Sequence, residues 1–352
     1  MQSSSTRRRR FVYSLGGGLG HLTRALALAR AAVRDQAEGK SHHRTEIVLL
    51  TNSPFAGFTP ISQELGVHHQ VVRLSHNLSR NETANRVVDL IRAERFDTLV
   101  IDTFPRGLGG ELAPLLPNLR CRKVLVHRDL APKYCSQFRL SHFLHHFDLV
   151  VVPGEPASFD DFPRAKRTAP WLIRDQHELL SPREARRLLN VRSDDRPVVA
   201  VIGSGRDEEI ERMQCFASQL ASEFASRAAV RFIAPGSGRR SDSRLPSRSN
   251  LTTVHLWPFF LSILGVSIFV GGGGYNCVHE ARATRTRYIG LSWPRLYDRQ
   301  RRRLQDSERA ADFEQARHRV RTAIEAHPET LSFRSCNFDN GVHGAIRAID
   351  AL

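Results

Sequence analysis

Each half of the chain opens with the same arrangement: a short apolar run, a glycine-rich turn and then a helical pattern. The first copy is FVYSLGGGLGHLTRALALARAA over residues 11–32, and the second is RPVVAVIGSGRDEEIERM over residues 196–213. A strand that turns through glycines into a helix is the first part of a βαβ unit, whose strands pair in parallel. Two copies within 352 residues, a length that exceeds one ordinary hydrophobic core, predict an α/β protein of two domains.

Short apolar runs alternate with helical patterns throughout the first half, which is typical of a parallel sheet covered by helices. The predicted strands lie at residues 11–15, 46–51, 69–74, 98–102, 123–127 and 149–152, and the predicted helices at 21–33, 81–95 and 132–145. Between residues 153 and 176 four prolines interrupt the pattern, which indicates a linker.

The alternation begins again in the second half. A short helix is predicted after Ser181, because Glu184 three residues later can complete a capping box. Further strands are predicted at 198–202, 230–233, 252–256, 268–270 and 288–291, helices at 208–225, 275–282 and 307–326, and a polar loop at 236–250. We therefore expect a Rossmann-like domain at 1–163, a linker at 164–180 and a second Rossmann-like domain at 181–352, whose last helix can pack back on the first.

The formal net charge of +16 indicates an anionic partner or a need for solubility. Nucleic acid, an anionic membrane surface and phosphorylated substrates all fit a basic chain. The arginines are spread along the sequence without interleaved aromatic residues or helix-turn-helix spacing. Nucleic acid is therefore not the expected partner.

The cysteines and the apolar runs bear on the cellular compartment in which the protein is expected. The five cysteines are odd in number, far apart and without a CxxC pair, which favours neither a disulfide framework nor a zinc site. The longest apolar run, at 259–270, is shorter than the roughly 20 residues that span a bilayer. The basic start MQSSSTRRRRF lacks the apolar stretch of an export signal. We expect a cytoplasmic protein in which the residues before Arg10 form a flexible arm.

The turn after the first strand carries candidate catalytic chemistry. Gly18 and Gly20 stand where the strand turns into a helix, and their lack of side chains allows a ligand to approach the backbone closely. His21 follows at the helix start, where the helix dipole disfavours the charged imidazole and so favours a base that takes a proton from a hydroxyl. A tight turn with a helix-capping histidine explains the same residues without catalysis. The turn is neither a Walker loop nor a GxGxxG motif.

A second glycine run precedes a carboxylate on a helix. In FVGGGGYNCVHEARATRTRYIGLSWPRLYDRQ, residues 269–300, a strand ends in glycines, a helix begins at Tyr275, and Glu280 follows on the same helix. A glycine-led helix start suits a diphosphate, and a carboxylate on that helix can accept both hydroxyls of a ribose. Asp298 and Gln300 are then candidates for binding sugar hydroxyls. A buried turn with a surface carboxylate is the alternative interpretation.

Together these motifs resemble a known family. GGGLGH followed by LTRALALA, GGYNCVHEA followed by DRQ, DTFPRGLGGELAPLL at 102–116 and HRDL at 127–130 look like motifs of the two-domain GT-B glycosyltransferases. The chain is most similar to predicted bacterial glycosyltransferases related to the N-acetylglucosaminyl transferase that makes the peptidoglycan lipid precursor. The resemblance touches both halves and implies two Rossmann-like domains that face each other across a cleft.

The resemblance implies a role for each matched residue. His21 matches the catalytic base, and Gly18 and Gly20 the acceptor or diphosphate side of the site. The diphosphate is expected at Gly273, Gly274, Tyr275 and Asn276 with backbone donors from Ser204 and Gly205, the ribose at Glu280, and the donor sugar at Asp298 and Gln300.

Two assignments stay open at this level. Asp102 either orients the imidazole of His21 or caps its own turn in DTFP, and capping is the favoured interpretation. Arg295 and Arg299 either help to neutralise the leaving diphosphate or are solvated.

The implied reaction transfers a sugar from a nucleotide diphosphate sugar, with a UDP-sugar favoured, to a hydroxyl acceptor that is a saccharide, a lipid-linked compound or a small molecule. Relatives stabilise the leaving group with helix dipoles and basic side chains, so we expect inversion at the anomeric carbon, no metal and no cofactor. The acidic triplets at 193–195 and 159–161 and the histidines of HFLHHF at 142–147 do not indicate a metal site.

Three other interpretations remain. A sugar-nucleotide epimerase of the same fold would need no acceptor, a non-catalytic relative would only bind the sugar nucleotide, and a nucleic-acid-binding protein would show salt-sensitive affinity. Relatives that use lipid-linked acceptors dock at the cytoplasmic face of the membrane, which the positive charge of this chain would allow.

Overall fold

The computed structural model describes residues 7–39, 44–67, 69–191, 196–234, 250–326 and 336–352. The chain forms two units. The first comprises Met1–Leu172, Leu296–Asp298 and Asp339–Leu352, and the second Ile173–Arg295 and Arg299–Phe338. The segment Leu296–Asp298 thus belongs to the first unit, although its neighbours in sequence on both sides belong to the second.

The described residues of the first unit form a seven-stranded parallel sheet in the order β3-β2-β1-β4-β5-β6-β7. The strands are β1 (Arg7–Ser14), β2 (Arg44–Thr51), β3 (His69–Arg73), β4 (Thr98–Asp102), β5 (Arg122–Val126), β6 (Leu149–Pro153) and β7 (Ala165–Thr168). The helices of this unit are α1 (Leu19–Ala37), α2 (Ile61–Leu65), α3 (Arg80–Ala93), α4 (Pro132–Gln137) and α10 (Gly341–Asp350). The strand order reverses between β1 and β4, and ligands of open α/β sheets bind at such a point.

The helix after β1 packs through an apolar face. Leu22, Leu26 and Ala29 on α1 are fully buried, at the spacing of one helix face. Helix α10 packs beside α1 and against β6 and β7. The side chain of Asn340 at the start of α10 holds the backbone of Leu172 with two hydrogen bonds of 2.9 and 3.0 Å. The last helix of the chain therefore completes the first unit.

The described residues of the second unit form a six-stranded parallel sheet in the order β10-β9-β8-β11-β12-β13. The strands are β8 (Val198–Ile202), β9 (Ala229–Ala234), β10 (Leu251–His255), β11 (Ile268–Gly272), β12 (Arg287–Leu291) and β13 (Arg309–Ala310). The helices are α5 (Pro182–Leu188), α6 (Asp207–Glu223), α7 (Tyr275–Ala283), α8 (Gln300–Arg303) and α9 (Phe313–Glu325). Here the strand order reverses between β8 and β11. Phe216 of α6 and Val320 of α9 pack in one core against this sheet.

The structure differs from the sequence expectation at β1, in the linker and in the helix predicted at 132–145. Residues 7–9 belong to β1 and are not a flexible arm, because the backbone N–H of Arg9 bonds to Asp97 at 2.7 Å and its guanidinium to Glu94 at 2.8 Å. The expected linker contains β7, a short edge strand without an apolar pattern. The expected helix at 132–145 is interrupted at Arg139, whose φ of +46° lies in the left-handed region.

The last helix of the second unit also begins later than expected. Helix α9 starts at Phe313, after β13 and after the N-cap Asp312, whose carboxylate accepts a hydrogen bond from the N–H of Gln315 at 2.8 Å. The capping box of Ser181 and Glu184 at the start of α5 is confirmed. The expected polar loop at 236–250, apart from Asn250, and the acidic triplet at 193–195 lie outside the described residues.

Candidate active site

The glycine turn after β1 brings the imidazole of His21 onto the turn itself. Gly16 has a φ of +151°, and a Cβ at this position would lie 2.5 Å from Cδ2 of His21. Only glycine fits such a contact. Gly18 is the N-cap of α1, and Gly20 and His21 belong to its first turn. The turn therefore fixes where the histidine side chain lies.

His21 is bound to a buried aspartate from the neighbouring strand. Its Nδ1 lies 2.6 Å from Oδ2 of Asp102, the last residue of β4. The side chain of His21 is 20 % exposed and that of Asp102 only 3 %. These two residues meet at the point where the strand order of the first sheet reverses. Asp102 thus contacts the imidazole, the interpretation that the sequence analysis did not favour.

Arg24, which the sequence analysis did not identify, completes this network. Its Nε donates to Oδ1 of Asp102 at 2.8 Å and its Nη2 to Oδ2 at 2.6 Å. The guanidinium is almost fully buried. Burial on its own raises the pKa of Asp102, but the charges of Arg24 and His21 outweigh it and hold the pKa well below the ordinary value of 3.8. Asp102 is therefore ionised.

Two residues after β4 support the same network. Thr103 has a φ of +70°, a strained conformation for a β-branched residue, and its hydroxyl accepts a hydrogen bond from Nη2 of Arg24 at 3.1 Å. The ring of Phe104 stacks on His21 with centroids 5.8 Å apart. Strain of this kind persists where the surrounding contacts hold it, which is common at functional sites.

The network determines what the imidazole can do. An ionised carboxylate can only accept a hydrogen bond, so Nδ1 of His21 carries the proton that it donates to Asp102. In the neutral imidazole, Nε2 then holds the lone pair and can take a proton from a hydroxyl. The arrangement would allow the imidazole to act as a general base.

In the second unit, the glycine run after β11 leads into α7. Gly274 is the N-cap of this helix, and no atom lies within 4 Å of the position where its Cβ would be. Tyr275 and Asn276 are the first residues of this helix, where backbone N–H groups point out of the helix end. Gly273 packs closely against Gln300, since a Cβ would lie 3.0 Å from the backbone oxygen of that residue. This helix start can accept an anion.

Glu280 lies on the same helix and is buried without a partner. Its side chain makes no hydrogen bond or ion pair with any described residue, although the residue is only 7 % exposed. Burial raises its pKa from 4.5 to about 8. A buried carboxyl group of this kind requires hydrogen-bond donors, which a ligand can supply.

The turn after β8 is occupied in part by the protein itself. Gly205 has a φ of +114°, and a Cβ there would lie 2.0 Å from Oε2 of Glu209. That carboxylate accepts a hydrogen bond from the N–H of Arg206 at 3.1 Å. The side chain of Ser204 lies near enough to Cys277, at the start of α7, to act on the pKa of that thiol. The glycine turns after β8 and β11 thus lie side by side.

The two residues assigned to the donor sugar are two positions apart in the chain but are grouped with different units. Asp298 belongs to the first unit, where it bridges with Leu130 and lies 3.6 Å from Nη2 of Arg128. Gln300 belongs to the second unit, and its Oε1 accepts a hydrogen bond from the N–H of Trp293 at 3.0 Å. The other assigned residues divide between the two units. His21, Asp102, Gly18 and Gly20 lie in the first unit, and Ser204, Gly205, Gly273, Gly274, Tyr275, Asn276 and Glu280 in the second.

Two absences hold for the part of the chain that the structure describes. It contains no group of three or more His, Cys, Asp or Glu side chains placed to hold a metal ion. It also contains no helix with the length and apolar character that crossing a membrane requires.

Comparisons with known proteins rest on structure, since no family model and no curated protein matches the sequence. The glycotransferase of kitacinnamycin superposes with a TM-score of 0.57 and 16 % identity over 97 % of this chain and 95 % of its own. The spinosyn rhamnosyltransferase complexed with thymidine diphosphate superposes with a TM-score of 0.53 and 16 % identity over 98 % of this chain and 99 % of its own. The UDP-GlcNAc 2-epimerase from Neisseria meningitidis bound to UDP-GlcNAc superposes with a TM-score of 0.61 and 11 % identity over 98 % of this chain and 99 % of its own. The expected fold, two Rossmann-like α/β domains as in GT-B glycosyltransferases, is thereby confirmed.

Proposed function

We propose that this protein is a glycosyltransferase that moves a sugar from a nucleotide diphosphate sugar, with a UDP-sugar favoured, to a hydroxyl acceptor. The observation that carries the proposal is the bond between His21 and Asp102, with Arg24 holding the aspartate ionised. Burying an aspartate and an arginine costs solvation free energy. Here the buried pair orients the imidazole of His21, which leaves Nε2 of that ring as the base.

The first unit supplies the base for the acceptor. Nε2 of His21 removes the proton of the acceptor hydroxyl as its oxygen attacks the anomeric carbon of the donor sugar. The bond from that carbon to the diphosphate oxygen breaks, and its electron pair leaves with the nucleoside diphosphate. The resulting imidazolium is stabilised by Asp102 at 2.6 Å. One direct displacement of this kind inverts the anomeric configuration.

The second unit supplies the groups that hold the donor. The open N-cap Gly274 and the amides of Tyr275 and Asn276 suit the diphosphate. Glu280 accepts the ribose hydroxyls, which provides the donors that this buried carboxyl group lacks among the described residues. The side-chain Nε2 of Gln300 has no hydrogen-bond partner among the described residues and is available to a sugar hydroxyl. Asp298 remains a second candidate for that sugar.

The finer parts of the proposal follow from the motif resemblance and from the neighbours. Helix α7 and arginine side chains stabilise the leaving diphosphate, so transfer proceeds without a metal ion or a cofactor. The motif resemblance supports a relationship to the transferase of the peptidoglycan lipid precursor. The neighbours crystallised with thymidine diphosphate and with UDP-GlcNAc support a nucleotide sugar as donor.

A nucleotide screen tests the proposal first. Thermal unfolding is measured with UDP, GDP and dTDP and with their common sugar conjugates, on the wild type and on Glu280→Ala. We expect one nucleotide family to raise Tm in the wild type and not in the variant. A transfer assay with that donor and a panel of hydroxyl acceptors then follows, with His21→Ala as the inactive control. Absence of any shift would contradict the proposal.

A second candidate, a sugar-nucleotide epimerase, is favoured by one observation: the UDP-GlcNAc 2-epimerase structure superposes with a TM-score of 0.61. An epimerase needs no acceptor, and inversion of a carbon–hydrogen centre by proton removal incorporates solvent deuterium. Incubation of UDP-GlcNAc with the protein in D2O, followed by proton NMR, separates the two activities. Deuterium at C2 without an acceptor indicates an epimerase, and an unchanged donor agrees with a transferase.

A further inference from the structure

Arg295 is held in a fixed orientation by a carboxylate of the second unit. Its Nη2 donates to Oε2 of Glu209 at 2.6 Å, and its Nη1 donates to Oε1 of the same carboxylate and to the oxygen of Pro294. The side chain of Arg295 is 22 % exposed and that of Glu209 only 9 %. Glu209 thus binds the guanidinium end-on and leaves part of it accessible.

The guanidinium lies at the reversal of strand order in the second sheet. β8 and β12 lie on either side of β11. Trp293, two residues before Arg295, lies against the end of β11, since its Nε1 is 3.2 Å from the Cβ position of Gly272. Nη2 of Arg295 lies 3.3 Å from the Cβ position of Gly205. The loop after β12 therefore carries a positive charge past β11 to the turn after β8.

One edge of the guanidinium remains for a ligand. An arginine side chain has five N–H donors, and the contacts to Glu209 and Pro294 use both on Nη1 and one on Nη2. Within the described residues, the Nε–H and the second Nη2–H of Arg295 have no acceptor. These two donors point to the same side and match two oxygens of one phosphate.

The charges around the turn after β8 show why an arginine is needed there. The first turn of α6 carries Asp207, Glu208 and Glu209. These carboxylates repel an anion, and Glu209 already accepts from the N–H of Arg206. Burial raises the pKa of Glu209, but the hydrogen bonds from Arg295 outweigh it and lower the pKa below 4.5. A phosphate close to this turn needs a cation, and Arg295 is placed to supply it.

We propose that Arg295 binds the diphosphate of the donor through its Nε and Nη2 edge, and that Glu209 is the positioning residue that presents this edge. The inference rests on the proposed function, because it assigns one more contact to the donor site. It assigns Glu209 no contact with the donor. Glu209 acts only through Arg295.

Binding titrations with a nucleoside diphosphate and with its nucleoside test the assignment. The pair is uridine with UDP, or the corresponding pair if the wild type prefers GDP or dTDP. We expect Arg295→Gln to lower the diphosphate affinity about 10- to 100-fold, the range for charged hydrogen bonds, and to leave nucleoside affinity within twofold. Arg295→Lys keeps the charge without the two-donor edge, so an intermediate loss is expected. Arg227→Gln, at a half-exposed ion pair with Glu325, is the charge-matched control and should change neither affinity.

Glu209→Gln tests the positioning role by the sign of its effect. Removing a negative charge beside an anion site should by itself strengthen diphosphate binding. Loss of the carboxylate that holds Arg295 should instead weaken diphosphate binding. We expect the diphosphate affinity to fall about three- to tenfold. We also expect the double variant to bind no more weakly than Arg295→Gln, because Glu209 acts through the arginine.

The outcomes separate this inference from the proposed function. Wild-type binding that Arg295→Gln leaves unchanged overturns the role of Arg295 while the donor site stands. Stronger diphosphate binding by Glu209→Gln overturns the positioning role. A wild type that binds none of the nucleotides contradicts the proposed function and this inference together. Unchanged nucleoside affinity in the variants shows that they are folded.

Discussion

Each unit buries a carboxyl group close to the reversal of its strand order, but the two groups have different electrostatic surroundings. In both, the sheet is parallel, the first strand turns through glycines into a helix, and the strand order reverses beside that strand. In the first unit this point holds Asp102, whose carboxylate is bound by both Arg24 and His21. In the second, Glu280 is buried with no partner among the described residues. One fold thus supports different chemistry through a few side chains.

The two buried carboxylates show what decides the difference. Both lose solvation, which raises the pKa of each. For Asp102 the neighbouring charges outweigh burial, whereas burial alone acts on Glu280 and raises its pKa to about 8. The partnered carboxylate of Asp102 is already held by hydrogen bonds in the absence of a ligand. An unpartnered carboxylate becomes fully bonded only with a ligand.

Replacing His21 by alanine is the strongest test of this division between the units. We expect the transfer rate to fall by about 10²- to 10⁴-fold, the usual contribution of a general base. Nucleotide affinity should stay within twofold, because the donor groups lie in the second unit. Steady-state kinetics and a binding titration on the same preparation measure both. A large loss of nucleotide affinity would show that the units do not divide the work in this way.

Asp102→Asn should destabilise the protein by about 3 to 5 kcal/mol, because it leaves the buried guanidinium of Arg24 without its counter-charge. The folded-state pKa of Asp102 is lowered, so its contribution to stability is present above the unfolded pKa near 3.8 and is lost as pH falls. Urea unfolding at pH 7 measures the effect. Asp306→Asn, at a side chain that is 90 % exposed, is the control. Equal stability of the two variants would refute the role of the pair.

Glu280→Gln should change how stability depends on pH. The pKa of Glu280 is raised from 4.5 to about 8 on folding, so its stabilising contribution is complete below pH 4.5 and is lost as pH rises to 8. In that range the wild type should lose at most about 1.4 kcal/mol per pH unit relative to the variant. Urea unfolding between pH 5 and 8 gives the two slopes. Parallel slopes would mean that Glu280 is not held protonated in the folded protein.

The glycine turn of the first unit offers a smaller and sharper comparison. A methyl group at Gly16 would collide with the ring of His21, whereas no atom lies within 4 Å of the Cβ position of Gly17. We expect Gly16→Ala to lower the rate of transfer about tenfold by displacing the imidazole, and Gly17→Ala to change it little. Nucleotide binding should be unaffected in both variants. Similar rates for the two variants would contradict the contact.

The sequence predicts best where local patterns decide the structure. The strands at 98–102 and 198–202 have the predicted bounds because each is a continuous buried run. The edge strand β7 was missed, since AKRT carries no apolar pattern and forms by pairing with β6. Arg24 stands in a helical pattern whose position is clear, but its partner Asp102 is 78 residues away. Such a contact has no local signal.

The sequence also does not show that Asp298 and Gln300 are grouped with different units. Asp298 bridges with Leu130 in the first unit, and Gln300 begins α8 in the second. The chain changes units between them. The unit to which a residue belongs depends on tertiary contacts, and the hydrophobic periodicity of the sequence does not predict it.

Proton release on donor binding tests the central claim most directly. Calorimetric titration with UDP-glucose at pH 7, in two buffers of different ionisation enthalpy, counts the protons released, and this ligand has no phosphate group that titrates near that pH. Ribose hydroxyls that donate to Glu280 favour its charged form, so binding lowers its pKa from about 8 and expels the proton. We predict a release approaching one proton in the wild type and none in Glu280→Gln. Tight binding without proton release would show that Glu280 does not hold the ribose.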